Sequence, residues 1–541
     1  MKSFFKNIGL STLTGLLLSF PWISPSLIPF AFIAFVPLFS LEKNLAHIKW
    51  HKISVFAFSF FSFLLWNVIT CWWTTITTFS GALFYFFQNA FFMSITFLIF
   101  HVLANKIRNI DLPLYFIKSK QKLIFLSFII LWLSFEYLNF NWDFSWPWIT
   151  LGNALAFFPF LAQWYEYTGI LGGSLWILSA NVFAGYIFIY QPQPIISKRN
   201  IYYALSLLLP AVVSAAIYFT YQEKGKEVEV VIVQPNIDPY EEKFPAGKNF
   251  IPYDKQLEIL FNLSEEKITA DTRYVIFPET SYPVRWELKD LELLKNMNQF
   301  YDFRSKHKDL SMIVGVESFQ RYPSAKEKTF TSRYSEKSGY FDFYNSAVQL
   351  NTLRDIPIKH KSKHLPWVES IPLRNVLQFL EPLTIYLGGF GSHGYQKQRV
   401  VFHDKFDHVV CAIICYESIY GEYVSEYVNR GAQAIFIITN DGWWKDAPGY
   451  KQHLAYDRLR AIETRRSIAR SANNGISCIM DQKGELTIRS EFWKRESLKG
   501  NIKLNREKTF YVLWGDLIGK ISAVLSVLLL SYFFIIRKFS N

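Results

Sequence analysis

Cysteine is scarce in this chain, with four residues in 541: Cys71, Cys411, Cys415 and Cys478. Their spacing matches neither a metal-ligand pattern nor a disulfide framework, although Cys411 and Cys415 lie close together, so free thiols are expected and no metal or other cofactor is called for. Acidic residues are outnumbered, with 44 Asp and Glu against 57 Lys and Arg and a formal net charge of +13. Such an excess could serve nucleic acid. The basic residues, however, sit in short loops beside apolar runs, so orientation in a bilayer explains them and no nucleic-acid partner is expected. A small-residue cleavage pattern is also missing after the first apolar run, which argues against reading residues 8–20 as a removable signal. What the chain has in abundance is hydrophobic (51%) and aromatic (18%) residues. That is too apolar for a purely soluble enzyme, and the chain is too long for one ordinary core.

The apolar residues are segregated. Residues 8–20, 27–41, 53–73, 82–103, 123–137, 169–190 and 202–218 form Phe-, Leu- and Ile-rich runs, most near the length of about 20 residues that spans a hydrocarbon core. Lys2 and Lys6, then Lys43, Lys49 and Lys52, then Lys106, Arg108, Lys118, Lys120 and Lys122, then Lys198 and Arg199 precede the first run or fill every second loop. Those sides are cytoplasmic by the positive-inside rule. The loops around Pro21 and Thr75 and from residue 139 to 168 contain no Lys or Arg and face outward. Seven spans deliver the chain to the outer side, and an eighth, residues 517–536, returns it to Arg537 and Lys538 inside. The expected fold class is therefore an α-helical membrane bundle of eight spans carrying an inserted α/β extracytoplasmic domain. Within the bundle, Trp142, Trp146 and Trp148 suit the headgroup boundary, and Glu136 marks a functional candidate because an acid in an apolar span must face the interior or water.

Residues 1–222 thus form a seven-span bundle, 227–508 a soluble domain, and 509–541 the eighth helix and cytoplasmic tail. In the soluble domain, 228–234, 274–277, 312–316, 346–350, 409–414 and 434–439 read as buried strands, and 254–266 and 453–470 as helices. This alternation favours an α/β sandwich.

Several of these strands end in reactive side chains. Glu279 follows Pro278 after one strand. Cys415, followed by Tyr416 and Glu417, ends the apolar run 409–414, at the mouth of a sheet. Between them lies a basic stretch from His360 to Val368 that closes on Glu369, and a further strand closes on Asn440-Asp441-Gly442-Trp443-Trp444. A carboxylate, an ammonium and a thiol are together sufficient for acyl transfer. The carboxylate takes the thiol proton as sulfur attacks a carbonyl, while the ammonium lowers the thiol pKa and stabilises the oxyanion.

The order Pro278-Glu279, Lys361 with Glu369 eight residues on, and Cys415-Tyr416-Glu417 resembles the Glu-Lys-Cys signature of the nitrilase superfamily. The eight-span frame with this insert before the last span resembles the apolipoprotein N-acyltransferase family over nearly the whole chain. Val233-Gln234-Pro235-Asn236-Ile237, Tyr344-Asn345-Ser346, Arg470-Ser471-Ala472-Asn473-Asn474-Gly475, Glu136, Trp146-Pro147-Trp148, Gln163 and Asn181 fit the same family. The resemblance implies an αββα sandwich on the periplasmic side of a bacterial cytoplasmic (inner) membrane. It also implies a ping-pong reaction in which Cys415 takes an acyl chain from a phospholipid, typically phosphatidylethanolamine, and passes it to the α-amine of a diacylglyceryl-apolipoprotein. By position, Glu279 would be the general base, Lys361 the oxyanion stabiliser and Glu369 a second acid orienting Lys361 or the substrate amine, while Tyr416 and Glu417 would shape the acyl-enzyme pocket. The chain departs from the family where Lys363 and His364 intervene and Trp367-Val368 replace Phe-Gly. Spacing back from Glu369 selects Lys361, with Lys359 and Lys363 as alternatives. Phe244 and Tyr240 compete for an aromatic substrate contact, with Phe244 favoured. The stretch 372–394, apolar with glycines at 388, 389 and 391, is expected to be a mobile arm that meets the outer leaflet and gates lipid entry. A membrane-tethered amidase acting on a small amide and a non-enzymatic membrane scaffold are the competing functions.

Overall fold

In the computed structural model the described residues are 2–109, 119–190, 197–288, 297–351, 356–386 and 391–539. They form two compact units, one of Met1–Trp72, Ala82–Phe219 and Trp514–Asn541, the other of Trp73–Gly81 and Thr220–Leu513.

The first unit is helical. Among the described residues, six helical stretches are long and apolar enough to cross a membrane: Pro25–Leu45, His51–Cys71, Phe79–Asn109, Lys120–Asn141, Ile170–Tyr190 and Asn200–Thr220. They coincide with the second to seventh spans expected from hydropathy. Residues 8–20 and 517–536 lie in the helices Lys2–Ile23 and Leu517–Phe539, which stand outside that set. Two buried carboxylates inside this unit have hydrogen-bond partners, which offset the cost of an acid in a low-dielectric interior. The buried Glu42 carboxylate accepts from Arg108 at 2.7 Å and meets His101 at 2.7 Å. Glu136 Oε1 accepts from Trp132 Nε1 (3.2 Å) and from the Leu151 backbone N–H (3.0 Å), joining its helix to the 3-10 turn Leu151–Leu155. Trp146 and Trp148 differ from the headgroup belt expected of them. Both are buried, and Trp146 stacks on Tyr85 with centroids 4.4 Å apart.

In the second unit, two sheets pack face to face. The strands Glu496–Leu504, Lys226–Gln234, Thr272–Ile276, Ser311–Tyr322, Gly339–Leu350 and Arg333–Ser335 order one sheet, with Tyr282–Glu287 and Ile358–His360 paired to it. The other runs Leu486–Arg489, Cys478–Met480, Ile468–Ala472, Ala434–Thr439, Val409–Ile414, Phe402–His403. The period of two decides the layering. Val230, Ile232 and Ile276 join Ala412, Ile414, Phe436 and Ile438 in the core between the sheets. Val231, Val233 and Val275 pack instead with Leu257 and Leu260 of the helix Tyr253–Glu265. Strands buried on both faces need continuous apolar runs, which is why they were conspicuous in the sequence.

The helices Gly421–Asn429 and Gly449–Thr464 supply the crossovers that parallel pairing of Val409–Ile414, Ala434–Thr439 and Ile468–Ala472 demands. Here the expected helix 453–470 is corrected. It ends at Thr464, because Arg465 turns left-handed (φ 48°, ψ 48°), and residues from Ile468 pair as a strand. The arm's helical turns Arg374–Leu377, Gln378–Leu380 and Glu381–Tyr386 are described, whereas its expected glycine hinge at 388–389 lies outside the described residues.

Candidate active site

Glu279 and Cys415 follow the carboxyl ends of parallel strands, where an α/β sheet places its loops and its ligands, whereas Lys361 follows the antiparallel strand Ile358–His360. Thr272–Ile276 leads to Glu279, Val409–Ile414 to Cys415, and Ala434–Thr439 to Asn440 and Asp441. The Glu279 loop lies against Gly315 so closely that a Cβ there would sit 2.4 Å from the Pro278 carbonyl oxygen and 2.8 Å from the Glu279 Cα. Only glycine fits.

Glu279 is buried and fixed on both oxygens. Its Oε1 accepts from Asn345 Nδ2 (2.7 Å) and from Lys361 Nζ (3.3 Å), and its Oε2 accepts from the Asn440 backbone N–H (3.1 Å). Lys361 is positioned by its own backbone N–H, which donates to the Asn345 carbonyl at 2.7 Å. Its Nζ also donates to Glu369 Oε1 at 2.7 Å, and Glu369 Oε2 accepts from the Leu365 N–H at 2.9 Å. The ammonium therefore bridges two carboxylates. Burial opposes its charge, but Glu369, Glu279 and Cys415 outweigh that cost and hold Lys361 well above the usual lysine range. Burial likewise opposes a charged Glu369, but Lys361, His364 and His393 prevail and bring its pKa down to about 2.

Cys415 occupies a left-handed backbone conformation, φ 50°, that a residue with a Cβ adopts only when its surroundings impose it. His453 supplies part of that constraint. Its Nε2 stands 3.3 Å from the Cys415 carbonyl oxygen, which can only accept, and its Nδ1 stands 3.1 Å from Asp441. Asp441 in turn accepts from Arg470 at 2.7 Å, and Arg470 donates to Asp457 at 2.6 Å. A neighbouring ammonium alone is expected to lower the thiol pKa. Lys361 does act in that direction, but burial and then the negative charge of Glu279 dominate and push the Cys415 thiol well above its usual range. The side chain is therefore a neutral thiol, on a residue that is 7% exposed.

The structure separates the three lysines of the basic stretch. Lys359 is fully buried and forms an ion pair with Glu417, while Lys363 lies over the Tyr420 ring at 4.6 Å. Lys361 alone of the three bonds Glu279. Glu417 is also fully buried and does not line the cavity beside Glu279. Besides Lys359, it accepts from the Ile414 N–H (2.8 Å), the Ser362 N–H (2.7 Å) and the Tyr423 hydroxyl (2.5 Å). One carboxylate thus fastens the strand end that carries Cys415 to the loop that carries Lys361. Tyr416, buried, packs edge-on against Tyr420 at 5.4 Å.

A cavity of about 160 Å³ opens beside Glu279 and Glu369. Phe244, Trp443, Phe343 and Tyr344 give it an aromatic wall, and Asn345 and His393 add polar groups. Phe244 stacks on Trp443 with centroids 6.2 Å apart. Tyr240 instead donates its hydroxyl to the Trp443 carbonyl at 2.8 Å and is not among the lining residues. Lys243 is a further buried cation at the site. Its buried Nζ donates to the Glu279 carbonyl at 3.2 Å, and burial, partly offset by Glu279 and Glu317, brings its pKa down to about 8. No local motif singles it out. Among the described residues, no His, Cys, Asp or Glu group is arranged to hold a metal ion.

Residues 14–183 match the family model of the apolipoprotein N-acyltransferase N-terminal domain, and residues 252–510 match that of carbon-nitrogen hydrolases. Full-length relatives agree. The chain is 29% identical over 535 residues to the apolipoprotein N-acyltransferase of Chlorobaculum tepidum, covering 95% of this chain and 94% of the relative. It is 25% identical over 517 residues to that of Geobacter metallireducens, covering 94% and 91%. Apolipoprotein N-acyltransferase 1 of Treponema denticola is 24% identical over 544 residues, covering 94% and 92%. With a helical unit and a carbon-nitrogen hydrolase unit in this order, the chain belongs to the apolipoprotein N-acyltransferase family.

Proposed function

We propose that this protein transfers an acyl chain from a membrane phospholipid to the α-amine of the diacylglyceryl-cysteine that begins an apolipoprotein, through a thioester on Cys415. The observation that carries the reading is Lys361 held between Glu279 and Glu369 at the strand ends that also present Cys415. In the first half-reaction the neutral thiol gives its proton to Glu279 as sulfur attacks the ester carbonyl. The tetrahedral oxyanion is stabilised by Lys361 and by the backbone N–H of Tyr416. Glu279 then returns the proton to the departing alcohol oxygen, the carbon–oxygen ester bond breaks, and a lysophospholipid leaves. In the second half-reaction the acceptor nitrogen attacks the thioester, the carbon–sulfur bond breaks, and a proton returns to the Cys415 sulfur.

Phosphatidylethanolamine is the proposed donor, and the aromatic cavity wall suits a substrate with an apolar body. The alternating Lys and Arg content of the loops supports eight spans in a cytoplasmic membrane with the soluble domain, 227–508, on the periplasmic side. Purified protein mixed with phosphatidylethanolamine vesicles and a synthetic diacylglyceryl-cysteine peptide tests the reading by mass spectrometry. It predicts a peptide heavier by one acyl group together with lysophospholipid. Hydrolysis of a small amide with the peptide left unmodified would favour a tethered amidase instead, and no turnover of either would favour a scaffold.

A further inference from the structure

The second half-reaction needs a proton acceptor that the first does not. An α-amine has a pKa of about 8, so at neutral pH most of the acceptor is ammonium and cannot attack. Glu279 is needed for a different proton, the one that passes from the attacking nitrogen back to sulfur, and is bonded to Asn345, Lys361 and Asn440. Glu369 is held by Lys361 and by the Leu365 N–H. Glu317, the other carboxylate in the cavity wall, belongs to a residue type less basic than imidazole by about two units.

His393 remains, lining the same cavity. Its backbone N–H donates to the Glu369 carbonyl at 3.0 Å. Its Nδ1 lies 3.2 Å from the Gly391 carbonyl oxygen, which can only accept, so Nδ1 carries the hydrogen. That leaves Nε2 with the lone pair and with no hydrogen bond among the described residues. Gly391 is left-handed (φ 72°) and so close to Arg333 that a Cβ would sit 2.5 Å from the guanidinium, which fixes the turn presenting the ring. The His364 ring stands 6.0 Å away, its buried Nε2 without a hydrogen-bond partner among the described residues. His364 lies in the stretch where this chain departs from its family.

We propose that His393 Nε2 accepts the proton of the acceptor's α-ammonium and so prepares the amine that attacks the thioester. The inference rests on the acyl-transfer reading above. The balance is direct. One ammonium proton goes to Nε2, the free amine forms the nitrogen–carbon bond, and the carbon–sulfur bond breaks. The second nitrogen proton returns through Glu279 to sulfur, and His393 later releases its proton to water. The charged groups facing the ring are Glu369, which favours its protonation, and Arg333 and Lys361, which oppose it, with His364 beside it. Burial, the largest influence, also favours the neutral ring.

Single-turnover measurements separate the two halves. Acyl-enzyme is formed on phosphatidylethanolamine vesicles, then a diacylglyceryl-cysteine peptide is added. His393→Gln is expected to slow transfer to the peptide at least tenfold more than it slows acylation of Cys415. The excess defect at pH 7 should shrink to under threefold at pH 9.5, where the amine is free without help. Added imidazole should restore transfer in His393→Gly. Equal losses in both halves, or a defect that does not change with pH and is not rescued, would overturn the inference. Wild-type protein that forms no acyl-enzyme would instead remove the acyl-transfer reading itself.

Discussion

Lys361 stands closer to Glu369 (2.7 Å) than to Glu279 (3.3 Å), so the ammonium is anchored by one carboxylate while remaining in reach of the other. The arrangement keeps a permanent cation at the site without fully neutralising Glu279. Replacing Lys361 by Met is expected to lower the rate of Cys415 acylation by about 10²- to 10³-fold, the usual cost of losing one oxyanion donor. Stopped-flow or quenched mass measurement of acyl-enzyme formation checks it. A loss under threefold would remove Lys361 from the chemistry.

Lys359 and Glu417 predict a different phenotype. Neither side chain is exposed, and Glu417 keeps its charge because Lys359, the Ile414 and Ser362 N–H groups and the Tyr423 hydroxyl all favour the anion. Glu417→Leu leaves Lys359 as an uncompensated buried charge, which costs on the order of 3–5 kcal/mol. Thermal unfolding in detergent should show it, and the double variant Lys359→Met/Glu417→Leu should recover part of the loss. Unaltered stability in the single variant would contradict the role assigned to the pair.

The ion pair also sets an acid limit. Glu369 titrates near 2 in the folded protein, below the ordinary carboxylate value, so its stabilising effect is present above about pH 4.5 and is lost as the pH falls toward 2. Lys361 is raised, so its effect persists up to its ordinary value of about 10.4 and fails only above it. Acid unfolding of wild type should therefore be steeper between pH 4.5 and 2 than that of Lys361→Met/Glu369→Gln. Superimposable profiles would show that the pair contributes nothing.

Cys415 is predicted to be slow toward simple alkylating agents. Its thiol is neutral at pH 7 because burial and Glu279 raise its pKa. Iodoacetamide labelling, followed by peptide mapping, should be slower than for an unhindered cysteine and should accelerate with pH. Rapid, pH-independent labelling would indicate a preformed thiolate and a different division of labour with Glu279.

The arm offers a test of lipid access. Val376 is 68% and Phe379 73% exposed, next to the buried Arg374–Glu381 ion pair. Phe379→Asp together with Val376→Asp is expected to lower turnover of vesicle phospholipid at least fivefold, while a short-chain soluble ester is processed at near wild-type rate. Equal turnover of vesicle lipid in wild type and variant would show that the arm is not a gate.

Much of this was legible from residue patterns, for reasons that differ by element. Val409–Ile414 and Ala434–Thr439 are buried on both faces, so their apolar runs mark strand and boundary together. The extent of the helix after His453 was not legible, because it ends on the backbone turn at Arg465 without a glycine or proline. Glu279, Lys361 and Cys415 stood out as polar residues at or near strand ends and in a recognisable order. Lys243 and His393 did not, because neither lies at the end of an apolar strand run and only the folded loops bring them to the cavity and to Glu279. The sign of the Cys415 shift was equally hidden. It depends on whether burial and Glu279 outweigh Lys361, and only three-dimensional packing decides that.

The most direct test is the covalent state of Cys415. Wild-type protein incubated with phosphatidylethanolamine of defined chain, without acceptor, should gain the mass of one acyl group, located to the Cys415 peptide and released by hydroxylamine, and Cys415→Ala should gain none. Turnover of lipid into acylated peptide with no adduct ever detectable on Cys415 in a quenched time course, or an adduct that persists in Cys415→Ala, would contradict the thioester mechanism.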